Sequence, residues 1–340
     1  MQRCLQLALI GQSRVAPNPT VGAVLVHNHT IIGEGFTQPY GQAHAEVYCI
    51  NSVPQHWQHL IEHATLYVSL EPCNHQGNTP PCTHLIIHNK IKTVVIGCTD
   101  THTLVNGKGI AYLQQHGVTV IQAVLEAECR LINEPFFYQK KTNLPYITLK
   151  WAMSANGYIS AANKAPIAIS NPYTQRYVHQ LRSKNEVILV GSNTVITDNP
   201  MLTNRYFGNK QPTVMVIDRQ LKVPITSTLF LHKLIIFNCI KNEIIGTVQY
   251  IKVNDDDSFL QNICYQITQL GYTNILVEGG TILLQLFISK DLYNKCITIT
   301  NDTLYLNSGY AAPITNFAQP QNVFTIGTDV VKIFLKKPKN

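Results

Sequence analysis

Two stretches of the chain place side chains at spacings that could do chemistry. In GQAHAEVYCI, residues 41–50, His44 and Glu46 flank Ala45, and in EPCNHQGNTPPCTH, residues 71–84, Cys73 and Cys82 stand nine apart. One imidazole nitrogen and two thiolates make three zinc ligands, and three protein ligands leave a fourth position for water, the pattern of a catalytic rather than a structural zinc. Zinc in such a site lowers the pKa of its water toward neutrality, and a nearby carboxylate that is not a ligand can shuttle protons. Glu46 is the candidate for that role. Two other readings of Cys73 and Cys82 stay open at this point: a disulfide loop, and a turn with two buried thiols. Nine cysteines scattered through 340 residues without framework spacing favour reduced thiols. Cys49, Cys98 and Cys129 read as buried free thiols rather than competing ligands. His75 and His84 read as loop supports or solvent-facing residues.

The elements that must position these groups follow from hydropathy. Short apolar runs at 21–26, 30–36, 64–70, 93–98 and 118–122 read as strands, with helical segments at 44–52, 82–89 and 109–116. Alternation of this kind predicts an α/β layer architecture. The helix at 44–52 would start at His44 and Glu46. The helix at 82–89 would bring its N-terminal dipole toward the Cys82 thiolate. NEPFFYQKKTNLP, residues 133–145, is expected to be a linker. Beyond it, further strands at 146–154, 186–191, 212–218, 233–238 and 274–280 predict a second α/β domain.

At 340 residues two domains are the natural division, here 1–144 and 145–340. Eleven of the thirteen histidines and six of the nine cysteines fall in the first, which places metal chemistry there. The first domain carries eight Lys/Arg against eight Asp/Glu and the second eighteen against eleven, so the net charge of +7 belongs to the second. That excess suits phosphate-bearing ligands. A blander reading also stands, since Lys332, Lys336, Lys337 and Lys339 would sit in a frayed tail. The aspartates 255–257 read as a solvated helix entrance. No basic–aromatic stripe suggests a nucleic-acid groove, no run of about 18 apolar residues suggests a membrane span, and no signal peptide is evident. A cytoplasmic protein is expected.

Joined to Glu71-Pro72-Cys73, His44-Ala45-Glu46 resembles the signature of the zinc nucleobase deaminases, with eight residues between the cysteines rather than two. Pro17-Asn18-Pro19-Thr20-Val21-Gly22, Gly33-Glu34-Gly35 and Thr79-Pro80-Pro81-Cys82 extend the match. Together these motifs resemble the deaminase domain of the bifunctional riboflavin-biosynthesis deaminase/reductases, in which the longer loop is usual. The resemblance implies a cytidine-deaminase-like zinc domain with one Zn²⁺ on His44, Cys73 and Cys82. It further implies hydrolytic deamination of a diaminopyrimidinone ribotide with Glu46 moving protons, and Asn18 at the pyrimidine. The chain departs from the family at Asn78, where a basic residue commonly meets the substrate phosphate, and at Thr37, where histidine is common.

The second half resembles the same family's reductase domain, which is dihydrofolate-reductase-like. The matching motifs are LKWAMSANGYIS at 149–160, Ile169-Ser170-Asn171, VHQLRS at 178–183, ILVGSNTVITDNPMLTNR at 188–205, VMVIDR at 214–219 and LVEGG at 276–280. By this resemblance Ala152, Ser170, Thr194 and Asp198 line NADPH. Gly280, Thr281, Ile282, Leu283, Leu284, Gln285 and Leu286 lie beneath its phosphates. Arg182, Leu202, Arg205 and Glu278 meet the ribotide, the two arginines suiting phosphate through the rigid guanidinium fork. Asn156-Gly157-Tyr158 and Ala168 depart from the usual pattern. There is no GxGxxG fingerprint, so a Rossmann domain is not expected. The implied partners are a small-molecule ribotide and other copies of the chain, with no nucleic acid and no membrane.

Two further functions compete. A deaminase of tRNA or nucleosides with an accessory C-terminal domain would act on adenosine-containing RNA and leave the ribotide alone. A binding module with a structural zinc would keep every function after Glu46→Gln.

Overall fold

The computed structural model describes residues 1–12, 15–76, 80–100, 107–162, 167–208 and 211–336. The chain forms two compact units, Met1–Asn143 and Leu144–Asn340. Among the described residues no helix is long and apolar enough to cross a membrane.

In the first unit, β1 (Gly22–His27), β2 (Thr30–Phe36), β3 (Thr65–Leu70), β4 (Thr93–Cys98) and β5 (Thr119–Ile121) make one sheet in the order β2-β1-β3-β4-β5. The β2-β1-β3 pairs are antiparallel and the β3-β4-β5 pairs parallel. Strand alternation sorts β1 between two layers. Ala23 and Leu25 enter the main core, while Val24 packs with Cys4 and Leu7 of α1 (Gln2–Gly11). The main core also takes Cys49 and Ile50 of α2 (Ala45–Asn51), Ile86 of α3 (Cys82–His88) and Leu113 of α4 (Lys108–Gln115).

Gly35 lets α2 lie directly on β2. A Cβ there would stand 2.3 Å from the Cys49 nitrogen and 2.4 Å from the Ala45 carbonyl, atoms of the helix backbone that cannot give way separately. Gly35→Ala is therefore expected to destabilise the first unit by about 1–3 kcal/mol, the cost of overpacking. Thermal denaturation should show the loss in that unit, together with weaker metal binding as the helix start is displaced.

The segment at 133–145 contains the division between the two units, but most of it is helix rather than an extended linker. After α5 (Glu126–Ile132) it forms α6 (Glu134–Thr142), with Phe136 and Gln139 buried. The stop and start signals were present: Pro135 stands in the first turn, and Asn143 closes the helix in the left-handed conformation at φ 56°. Asn133, between the two helices, is buried, and its side chain grips Thr20 from both sides. The Thr20 N–H donates to Oδ1 at 2.8 Å, and Nδ2 donates to the Thr20 carbonyl at 3.0 Å.

In the second unit the strands are β6 (Tyr146–Ser154), β7 (Tyr158–Ala161), β8 (Val187–Gly191), β9 (Thr213–Ile217), β10 (Leu234–Asn238), β11 (Glu243–Ile245), β12 (Val248–Lys252), β13 (Asn274–Val277), β14 (Lys295–Asn301), β15 (Gly309–Ala311), β16 (Asn322–Ile326) and β17 (Asp329–Leu335). Ten make one sheet in the order β11-β12-β10-β9-β8-β13-β6-β14-β17-β16, and β15 pairs with β7 apart from it. From β12 to β14 every pairing is parallel, and the edge pairings are antiparallel.

A parallel sheet needs cover on both faces. α9 (Phe259–Gln269) and α10 (Thr281–Ser289) supply one side with Ile263, Ile267, Leu284 and Phe287. α7 (Pro172–Lys184) and α8 (Ser192–Asp198) bury Val178, Leu181 and Val195 in two further clusters.

Ahead of α9, Asp256 accepts from the Ser258 N–H at 2.9 Å, and Asp255 pairs with Arg219 on the surface. The basic tail is less frayed than expected. Lys332 lies within β17, and Lys336 pairs with Asp291 at 2.7 Å because the strand carries it there; Lys337 and Lys339 lie outside the described residues.

Candidate functional site

His44 is the N-cap of α2, with extended backbone at φ −73° and ψ 167°, and Glu46 follows in the first helical turn. Cys73 comes three residues after the end of β3, and Cys82 opens α3. The fold brings the three predicted ligands together. His44 Nδ1 lies 3.3 Å from Cys82 Sγ and 3.5 Å from Cys73 Sγ, and one donor atom from each residue lies within 4.8 Å of the others. One imidazole nitrogen and two sulfurs so gathered suit zinc. Among the described residues this is the one such cluster, and Cys49, Cys98 and Cys129 are free thiols buried elsewhere in the core. Burial pushes Cys98 up to about 12 and Cys129 to about 11, as expected of inert packing groups. His75 and His84 are exposed, and His84 stacks on Tyr112.

The electrostatics favour a thiolate. A hydrogen bond from Cys82 pulls the Cys73 thiol down against burial, with His44 adding to the pull, and Cys82 is raised in turn. The Cys82 N–H also donates to Cys73 Sγ at 3.4 Å. Glu46 is only 4% exposed. Burial lifts its carboxyl to about 7, and the Cys73 thiolate adds to the rise while His44 opposes it. His44 itself is raised, first by its hydrogen bond to Cys73.

Glu71, for which the sequence motif implies no role, holds the cysteine loop in place. Its buried carboxylate accepts from the N–H groups of Gly107 and Gly109 at 3.0 Å, and of Asp100 and Ile110 at 3.3 Å. Gly109 fits because a Cβ there would stand 2.2 Å from the Pro72 carbonyl. A carboxylate immediately before Pro-Cys in an otherwise apolar strand end was the available signal.

Asn18 is half-buried, with its N–H on the Val15 carbonyl at 2.9 Å. Thr37 is a buried structural residue whose hydroxyl accepts from the Val21 N–H at 3.2 Å. Asn78 lies outside the described residues.

In the second unit, β6 and β13 run parallel with Leu149 opposite Val277, which brings Lys150 and Glu278 alongside at the C-terminal end of β13. This end of a parallel sheet is where open α/β folds bind ligands. Glu278 accepts from Arg182 Nε at 2.7 Å and Nη2 at 3.0 Å, and lies 3.4 Å from Lys150 Nζ. The three side chains are 8%, 15% and 12% exposed. Burial alone would raise the Glu278 carboxyl, but the charges of Lys150 and Arg182 and their hydrogen bonds bring it down to about 2. Two expected ribotide contacts, Arg182 and Glu278, therefore hold each other. Lys150, unassigned from sequence, is the third member; a lone lysine inside YITLKWAMS could have signalled it, because a buried cation needs a partner.

Arg205 is exposed, and its guanidinium rests on His179. Leu202 is buried in the core with its backbone left-handed at φ 51°, so a ligand would meet its main chain. Around the expected cofactor positions, Thr194 Oγ1 accepts from the Gly280 N–H at 3.1 Å, tying α8 to the start of α10. The turn Glu278-Gly279-Gly280 bares backbone, and Ile282 is exposed beside it, whereas Leu283 and Leu284 are core residues. Thr281 and Gln285 are engaged with the segment 311–314 through the Ala311 carbonyl and the Ile314 N–H, and Leu286 is half-buried. Ala152 lies on β6, Ser170 just before α7, and Asp198 at the exposed end of α8. Bare backbone at a helix start fits the phosphates of a nicotinamide dinucleotide.

Comparison with known proteins agrees with both halves. Residues 1–98 match the cytidine and deoxycytidylate deaminase zinc-binding region, and residues 145–302 match the RibD C-terminal domain. A riboflavin biosynthesis protein RibD of Synechocystis sp. is 41% identical over 68% of this chain and 61% of its own length. One from Aquifex aeolicus is 35% identical over 87% of this chain and 84% of its own. The structure of a diaminohydroxyphosphoribosylaminopyrimidine deaminase/5-amino-6-(5-phosphoribosylamino)uracil reductase from Thermotoga maritima superposes with a TM-score of 0.89 at 30% identity, covering 98% of this chain and 97% of that one. The zinc-binding deaminase region and the reductase domain imply zinc and a nicotinamide cofactor. The chain belongs to the RibD family of riboflavin-biosynthesis enzymes, in which a deaminase and a reductase share one polypeptide.

Proposed function

We propose that the chain carries out two consecutive steps. It deaminates a diaminopyrimidinone ribotide in the first unit, Met1–Asn143, and it reduces the ribosyl group of the product to ribityl with NADPH in the second, Leu144–Asn340. The observation that carries the reading is the meeting of His44, Cys73 and Cys82 beside buried Glu46, in a chain whose other half matches the RibD C-terminal domain.

His44, Cys73 and Cys82 would hold one zinc ion, which when bound would supply an acidified water as the nucleophile for the amine-bearing ring carbon. Glu46 takes a proton at a carboxylate oxygen and returns it to the departing amine, the two tasks of a general acid–base group. Asn18 orients the pyrimidine. Glu71 keeps Cys73 in place through four backbone N–H groups. In the second unit Ala152, Ser170, Thr194, Asp198 and the start of α10 would hold NADPH, whose nicotinamide supplies hydride. Arg182, Arg205, Glu278 and the Leu202 main chain would orient the ribotide against it, and fixing two reactants in register is where such a protein contributes most. We place the protein in the cytoplasm and expect it to assemble from like copies.

Stripping the metal with a chelator is expected to abolish ammonia release. Reduction of separately prepared deaminated ribotide should persist. Loss of both activities, or of neither, would contradict the division of labour. Deamination of adenosine-containing RNA with the ribotide untouched would establish the competing tRNA-deaminase reading, which a RibD C-terminal domain disfavours.

A further inference from the structure

α7 presents His179 and Arg182 one turn apart, on one face of the helix. Both grip the irregular segment that follows α8. Arg182 Nη1 donates to the Thr203 carbonyl at 3.2 Å while its other edge is fixed by Glu278. His179, 3% exposed, takes Arg205. The Arg205 N–H lies 3.2 Å from Nδ1, and its Nη2 and Nε lie 3.2 Å and 3.4 Å from Nε2. The Tyr206 ring closes edge-on over the imidazole at 4.8 Å, and Arg176 covers Tyr206 in turn. Buried Asn204 ties the turn together by accepting from the Phe207 N–H at 3.1 Å.

This arrangement requires an uncharged imidazole. A neutral ring has one lone pair to offer; in the tautomer protonated on Nδ1 it lies at Nε2 and takes the guanidinium, and the Arg205 N–H near Nδ1 is then a packing contact, whereas an imidazolium has no lone pair and would set a third cation beside Arg182 and Arg205. Burial, then Arg182 and Arg205, lowers the His179 pKa accordingly. A guanidinium carries five N–H donors, and the contacts with His179 use one edge of it. Its remaining donors stay with an exposed residue.

We infer that His179 is a positioning residue for the reduction step: it accepts from Arg205 and so aims the free edge of that guanidinium at an anionic oxygen of the ribotide. The inference rests on the reading that Arg205 meets the ribotide. A long, flexible arginine held in advance loses less rotamer freedom on binding, so the effect belongs to substrate affinity rather than to hydride transfer. Thr203 and Arg205 are held by two residues of one helix, which makes the segment a fixed wall of the site.

The test uses the full-length protein, prepared deaminated ribotide and NADPH. His179→Leu is expected to raise KM for the ribotide about tenfold, with kcat changed less than about twofold and KM for NADPH unchanged. His179→Gln, which puts an amide oxygen near the position of Nε2, should restore most of the loss. Arg205→Ala should raise the same KM, and adding His179→Leu to it should have little further effect, because the two act as one unit. An unchanged KM for NADPH, which the same unit would bind, reports that the second unit of each variant is folded.

An unchanged KM in His179→Leu, alongside a raised one in Arg205→Ala, overturns the inference and leaves the Arg205 reading intact. An unchanged KM in Arg205→Ala removes the Arg205 reading and the inference with it. Losses that add in the double variant, or a parallel fall in NADPH affinity, overturn the inference by showing a general structural role.

Discussion

Glu46→Gln is expected to lower ammonia release by about 10²–10⁴-fold, the contribution of a positioned general acid–base group, while metal content stays at that of the unsubstituted protein. The reason is geometric. Glu46 sits in the first turn of α2, two residues from the ligand His44, yet it is not one of the three gathered donors. It is buried deeply enough that glutamine, of the same shape, would leave the helix start and its packing undisturbed. What glutamine cannot do is take up and return a proton. His44→Ala or Cys82→Ala should instead lose the metal along with the activity. Metal analysis and an ammonia assay on the same preparation separate the two outcomes. Retention of ammonia release in Glu46→Gln would mean that the metal site is structural.

Glu278→Ala carries the second large effect, a loss of about 3–5 kcal/mol from the second unit, as expected when one partner of a buried ion pair is removed. Arg182 and Lys150 would be left as two buried cations sharing no counter-charge. Denaturant unfolding should show the loss, and the reductase should fail with it, since Arg182 also holds Thr203.

The same carboxylate fixes a pH dependence. Its pKa is about 2 in the folded protein and about 4.3 in an unfolded chain. The contribution is therefore complete above about pH 4.3 and is lost as pH falls through about 2. Stability of the second unit should decline across that window, and Glu278→Ala should flatten the decline. A wild-type stability that does not change between pH 4.5 and 2.5, within about 0.5 kcal/mol, would contradict the ion-pair account.

Much of this molecule is legible in its sequence, and the rest fails for identifiable reasons. Strands read well because period-2 alternation and continuous apolar runs are local signals; β2, β4 and β6 begin and end where their apolar runs do. The gathering of His44, Cys73 and Cys82 is legible because their residue types are chemically narrow and the motif spacing is fixed by a strand end and two helix starts. The helix at Glu134–Thr142 is hidden in a segment that reads as a linker because its sequence, EPFFYQKKT, shows no clean amphipathic stripe, although Pro135 and Asn143 mark both ends.

Partnerships across long stretches of chain were not legible. Glu71 with Gly109, Asn133 with Thr20, and His179 with Arg205 depend on which elements the fold packs together, and no local pattern encodes that. Arg182 illustrates the difference. Its motif marked it as a ribotide contact, but only the register of β6 against β13 reveals that Glu278 and Lys150 already neutralise and orient it.

The most direct measurement of the central claim incubates the purified protein with the diaminopyrimidinone ribotide and NADPH and follows ammonia and NADPH oxidation together. Ammonia should appear first, with NADPH oxidation following it to the same final amount. Ammonia without oxidation would remove the reductase half of the account, and the absence of both signals would contradict it altogether.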